Sequence, residues 1–219
     1  MNDEMTLFFI IIGVVLVIVY HRSKRGLYGS EIPLTPGDWR VGEDIDPGKG
    51  DLVAVSGTGD INIMERGNGV WTNGFKLGAD NPAVPGKYRN LTLHASDILQ
   101  INGDIKVLIT PPTPIADGNG AELTLGTYQF GVDIPPAKYD LTATEGDGQF
   151  TFFAPNESEF SVYQDMNPSM TGKASVYNNL LCEDGARIVV TDSLKLKLTK
   201  SKKQRGCFNK LLDFINQDP

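Results

Sequence analysis

The chain has 219 residues, 40% of them hydrophobic, enough for one large packed core or two small ones. Its 24 glycines and 13 prolines favour turn-rich β structure over a helix bundle. The net charge is −7, with 12 basic against 23 acidic residues between positions 27 and 199. That acidic body lacks the basic footprint that nucleic-acid phosphates require, so nucleic acid is not an expected partner.

The first predicted element is the uncharged run MTLFFIIIGVVLVIVY, Met5–Tyr20. Sixteen residues at about 1.5 Å each come close to a hydrocarbon core of about 30 Å, and flanking side chains can supply the remainder. Asp3 and Glu4 precede the run, while Arg22, Lys24 and Arg25 follow it. A cleaved signal peptide would carry the opposite charge order and a small-residue cleavage site. Residues 1–26 are therefore expected to be a retained single-pass membrane anchor with a basic flank. The positive-inside rule places the N-terminus outside and the body in the cytoplasm, the alternative being an extracytoplasmic body. Residues 27–34 read as a short stalk.

Next comes an internal repeat. Residue n matches residue n+89 without a gap, and 11 of the 28 positions from Gly37 to Met64 are identical. They include Gly37, Gly42, Asp44, Lys49 and Asp51, whose mates are Gly126, Gly131, Asp133, Lys138 and Asp140. The register returns at Tyr88, Asn90 and Leu91, matched by Tyr177, Asn179 and Leu180. A gapless offset over this length is the mark of a duplicated structural unit. Within each unit, stretches such as DLVAV, DLTAT, INIM and FTFF alternate with period two, the pattern of half-buried strands. Two tandem β-sandwich or jelly-roll-like repeats follow, 35–112 and 121–200, joined by a Pro- and Gly-rich linker at 113–120. Trp39 and Tyr128 are expected to fill the two cores. Asp44 and Asp133 are expected to bond their own turns. Asn102-Gly103, between ILQI and DIKVLI, predicts a tight hairpin.

The stretches WRVGEDIDPG and YQFGVDIPPAKY resemble a pattern, Y-x-V-G-x-D-I-P-x-G-x-Y, of small tandem β domains in bacterial surface proteins and phage-associated membrane-anchored proteins. The resemblance covers the first third of each unit. It implies a β module of bacterial or phage origin and carries no catalytic residue. Gly48 fits the pattern's glycine, whereas Ala137 departs from it.

Function has to be sought where the repeats differ. Residues 65–87 and 154–176 align at equal length with no identity. Loops on a shared scaffold carry specificity, so Trp71, Phe75, Phe160 and Tyr163 are candidate aromatic anchors for a protein partner. Each is also a plausible core residue. The two histidines, His21 and His94, belong to no Ser/His/Asp or Cys/His set, and neither a phosphate loop nor a metal-ligand spacing occurs. Cys182 and Cys207 form no CxxC. No catalytic residue, cofactor or metal is assigned. The Asp44/Asp51 and Asp133/Asp140 pairs could bind Ca²⁺, but read first as turn structure.

The tail, 201–219, is basic and then amphipathic. Phe208, Leu211, Leu212 and Ile215 fall at helical spacing beside Lys202, Lys203 and Arg205, a pattern suited to a short helix on anionic lipid or against a protein. Taken together, the expectation is a non-enzymatic, membrane-anchored binding or structural protein. Its expected partners are membrane lipid at both ends and an unidentified protein. Two alternatives are a phage-encoded superinfection-exclusion protein and a cell-wall or carbohydrate-binding module on the outer face.

Overall fold

A computed structural model describes residues 33–65 and 71–201. Unit 1 contains β1 (Gly37–Arg40), β2 (Gly48–Ser56), β3 (Thr58–Met64), β4 (Trp71–Gly78), β5 (Lys87–Leu93), β6 (Ile98–Gly103) and β7 (Lys106–Thr110). Then follow the two-residue β8 (Glu122–Leu123) and, in unit 2, β9 (Gly126–Gln129), β10 (Ala137–Glu145), β11 (Gly148–Phe153), β12 (Val162–Met166), β13 (Val176–Cys182), β14 (Arg187–Val190) and β15 (Lys195–Lys200). Each strand of unit 2 stands at the repeat offset from one of unit 1. Even β8 has a counterpart: Leu123 pairs with Leu196, and Leu34 bridges Val107.

In each unit two antiparallel layers enclose one core. In unit 1 the order β1-β6-β3-β4 faces β5-β2-β7; in unit 2, β12-β11-β14-β9 faces β13-β10-β15-β8. Alternation decides which side chains go inside. Along β11, Gly148, Phe150 and Phe152 are buried and the residues between them are not. Unit 1 packs Leu52, Ile61, Leu77, Leu99 and Val107, and unit 2 packs Tyr128, Phe130, Tyr139, Phe150 and Ile188. Each such side chain contributes about 2–3 kcal/mol of apolar burial.

The two sandwiches are not separate bodies. β9 lies parallel to β5, with Arg89 opposite Gly126, and this bridge joins β12-β11-β14-β9 to β5-β2-β7 as one seven-stranded sheet. Leu125 crosses over as well, buried in the core of unit 1.

Several sequence expectations need correction. The mainly β reading carried a transmembrane helix and a C-terminal amphipathic helix. Among the described residues there is no helix, and none long and apolar enough to cross a membrane. The apolar residues of 33–65 and 71–201 alternate with polar ones and are spent on sheet interiors, which leaves no unbroken apolar run for a span. The single-pass membrane assignment and the orientation derived from it are overturned on that finding. The predicted span within 1–26 and the tail residues Lys202, Lys203, Arg205, Phe208, Leu211, Leu212 and Ile215 lie outside the described residues.

The hairpin at Asn102-Gly103 is also corrected: β6 and β7 belong to different sheets. The turn is tight, with Gly103 at φ 96°, but Ile105 swings fully into the core and carries the chain across the sandwich. Local hairpins among the described residues are instead β3–β4 and β11–β12, whose second strands lie within the diverged segments.

Candidate binding surfaces

The repeated G-x-D-I-x-P turn has one geometry in both units. Asp44 Oδ2 accepts the Arg40 N–H at 2.9 Å, and Asp133 Oδ2 accepts the Gln129 N–H at 2.8 Å. Gly42 and Gly131 donate to the carbonyls of Ile45 and Ile134, at φ values of 94° and 88° that favour glycine. The two turns differ in their surroundings. Asp133 is buried and holds Lys49 Nζ of unit 1 with both carboxylate oxygens at 2.6 Å. Asp44 is exposed, and neither it nor Lys138, the mate of Lys49, joins an ion pair among the described residues.

Around the parallel bridge, the Arg89 N–H donates to the Leu125 carbonyl at 3.0 Å. Tyr88 Oη and Thr127 Oγ1 are bonded at 3.0 Å, and burial pushes the Tyr88 phenol up from its ordinary value against the pull of that bond. Beneath them lies Asp51, fully buried. Its Oδ1 accepts the Asn90 N–H at 2.9 Å, while Lys87 Nζ and Arg89 Nε stand 3.5 and 3.8 Å from Oδ2. Those last two distances are longer than hydrogen bonds, so the pairing is coulombic. Asp140 repeats the first bond, accepting the Asn179 N–H at 2.8 Å, and takes the Ser201 hydroxyl where Asp51 meets the two cations. Asn90 and Asn179 both adopt positive φ, at 56° and 63°, where the strand bulges.

Each of the four repeated aspartates thus accepts a backbone N–H, and Asp51 Oδ2, buried without a hydrogen-bond partner, faces the Lys87 and Arg89 cations. Among the described residues no group of three or more His, Cys, Asp or Glu is placed to hold a metal ion. A polar cleft of about 310 Å³ opens where the units meet, lined by Lys49, Asn90, His94, Asp97, Asp133 and Arg187. His94 points to solvent, with Nδ1 3.5 Å from Asp97 Oδ2. Asp97 also accepts the His94 N–H, the arrangement of a turn cap.

The four aromatic candidates do not gather at one site. Phe75 packs against the core of unit 1, its ring 4.3 Å from Tyr88. Trp71 opens β4, and its side chain is outside the described set. Phe160 and Tyr163 are 61% and 49% exposed, with ring centroids 6.0 Å apart at the start of β12. Among the candidates whose side chains are described, only this last pair forms a surface. Tyr128 fills the core of unit 2, but Trp39 is half-buried and its Nε1 donates to the Thr35 carbonyl at 2.9 Å.

Sequence reasoning did not find the inter-unit contact. Lys49 and Asp133 recur as Lys138 and Asp44, so the repeat itself does not mark which pair meets.

No family model matches the chain, and no curated protein matches it. A solved structure, vicilin from Capsicum annuum, is similar over 84% of this chain and 82% of its own, at 11% identity and a TM-score of 0.22. At that TM-score the similarity carries no argument about fold or function.

Proposed function

We propose that the chain is a non-enzymatic binding protein whose duplicated β scaffold presents a protein-docking surface at the start of β12. The reading rests on Phe160 and Tyr163: two large aromatic side chains left side by side in solvent, on the segment where unit 2 departs from unit 1. Aromatic side chains offer much contact area at small entropic cost, and they dominate protein interfaces. The repeated carboxylates support it too, since each is engaged in holding backbone or a cation of the chain itself. A general acid or base would have to be free for a substrate.

The test is site-specific photo-crosslinking in cells. A photoreactive residue at position 160 or 163 is expected to give a discrete adduct, and the same residue at exposed Lys106 none. Equal labelling from all three positions would remove the docking surface from the account.

A further inference from the structure

The contact between the units is head to tail. It uses the β5 side of unit 1 and the β9 side of unit 2, two different surfaces. Duplication places the equivalent of each surface on the other unit. The mate of β5 is β13, and the mate of β9 is β1; both are terminal strands of their sheets. A heterologous contact of this kind leaves one copy of each half unused at the ends of the chain.

Burial marks the footprint. On β9 and the residues before it, Leu125, Gly126 and Tyr128 are buried; their mates Pro36 and Gly37 are exposed and Trp39 is half-buried. On β5, Tyr88 and Asn90 are buried; their mates are half-buried Tyr177 and exposed Asn179. Asp133 is buried and Lys49 half-buried, while Asp44 and Lys138 are both exposed. In each of these pairs the more exposed residue lies on the unused surface.

The glycines sharpen the comparison. Gly126 has φ 151°, and a Cβ there would stand 2.5 Å from the Arg89 carbonyl oxygen and 2.8 Å from its nitrogen. The missing side chain is what lets β5 and β9 approach. Gly37 has nearly the same conformation, φ 145°, yet a Cβ there would meet nothing within 4 Å. The backbone of β1 is already shaped for a neighbouring strand that none of the described residues supplies.

We propose that the chain associates with a second copy of itself head to tail, the free edge of β13 in one copy pairing in parallel with β1 of the next through a junction equivalent to that between β5 and β9. The chemistry is complementary at three equivalent points. Lys138 meets Asp44, as Lys49 meets Asp133. The Asn178 N–H faces the Pro36 carbonyl, as that of Arg89 faces Leu125. The Tyr177 hydroxyl reaches the Asp38 carboxylate, as Tyr88 reaches Thr127. Covering this edge buries Trp39 as Tyr128 is buried. The intermolecular junction is weaker than the internal one. It lacks the linker that keeps the two units at high effective concentration, and Asn178 has no guanidinium to repeat the 2.6 Å bond from Arg89 to the Thr113 carbonyl. A pair of edges that always remains free at the ends of a growing assembly gives a ring or a filament, according to whether the rotation closes.

The test uses the full chain and does not depend on the docking surface at Phe160. Sedimentation velocity is measured from about 1 μM to about 1 mM, the range of weak specific contacts. The wild type is expected to grow in mass with concentration. Lys138→Glu puts a carboxylate against Asp44 and is expected to weaken association about tenfold or more, with an unchanged circular-dichroism spectrum. A second readout is zero-length carbodiimide cross-linking of mixed ¹⁴N and ¹⁵N copies. A peptide joining Lys138 to Asp44 is expected with mixed isotopes, and one joining Lys49 to Asp133 with a single isotope. A wild type that stays monomeric up to about 1 mM would overturn the proposal. So would association indifferent to Lys138→Glu, or a Lys138–Asp44 link that never mixes isotopes.

Discussion

Gly126 and Gly37 make a matched pair in which the same substitution should have unequal effects. Alanine at either site must adopt a positive φ that alanine disfavours, a cost of about 1–3 kcal/mol common to both. At Gly37 that is the whole cost in a monomer, because a Cβ there meets no atom within 4 Å. At Gly126 the new Cβ lies 2.5, 2.8 and 2.9 Å from the O, N and Cβ of Arg89. Backbone atoms cannot rotate out of the way, so β5 and β9 must separate by close to an ångström. That loosens the 3.0 Å bond from Arg89 N–H to the Leu125 carbonyl. Overpacking of about 1–3 kcal/mol and a lost hydrogen bond of about 1 kcal/mol then fall on Gly126→Ala alone. Thermal unfolding at dilute protein, where self-association is absent, should show Gly126→Ala melting roughly 5–15 °C below Gly37→Ala. Equal melting temperatures would mean that the β5–β9 contact contributes nothing to the folded state, and the account of the shared sheet would fall.

Acid should weaken the fold through particular carboxylates. The Ser201 hydroxyl and then the Asn179 N–H hold Asp140 below its ordinary value; the Lys173 ammonium does the same for Asp147, and the Asn119 N–H for Asp117. Because the folded value lies below the unfolded one, this contribution is present above the unfolded value and is lost as pH falls through the folded one. Stability should therefore decline below about pH 4, and an NMR titration of Asp140 with a midpoint at or above 3.8 would refute the assignment. Burial pushes the Cys182 thiol up to about 12, so in a Cys207→Ser chain a thiol reagent near about pH 8 should label the unfolded protein once and the native protein not at all; rapid native labelling would place Cys182 outside the core.

The duplication and the β class were legible because a period-two pattern reports directly on half-buried strands, and Asp140-Leu141-Thr142-Ala143-Thr144 carries it plainly. Sheet membership was not legible, because alternation says which way a side chain faces and nothing of which strand lies beside it. Asn102-Gly103 has the composition of a hairpin turn, yet fully buried Ile105 takes the chain to the opposite layer. Among the aromatic candidates, Phe75 and Phe160 sit in equally diverged segments, and only packing separates the one against Tyr88 from the one in solvent. The inter-unit contact was hidden for a stronger reason. Gly-x-Asp-Ile-x-Pro is the same string in both units, so no local feature can tell that one aspartate is buried and the other exposed. The difference arises from a neighbour brought in by the fold.

The two turn aspartates differ in what their removal costs. Asp44 and Asp133 each accept one backbone N–H four residues back, so removing either carboxylate frees a donor and costs about 1 kcal/mol. Asp133→Ala also strips both 2.6 Å contacts from Lys49 Nζ, whose side chain is only 26% exposed and would keep its charge beside the cleft without a counterion. Losing one member of a largely buried pair costs about 3–5 kcal/mol, less here because Lys49 retains some access to water. At dilute protein Asp133→Ala should therefore lose about 2–3 kcal/mol more than Asp44→Ala, measured by urea unfolding. A double substitution, Lys49→Met with Asp133→Ala, separates the pair from the turn: it should recover part of the excess, because no orphaned charge is left behind. If Asp44→Ala and Asp133→Ala lose stability equally, the Lys49–Asp133 contact is a surface pair of no consequence. The equivalent contact between Lys138 and Asp44 of two copies would then have no energetic precedent within the chain.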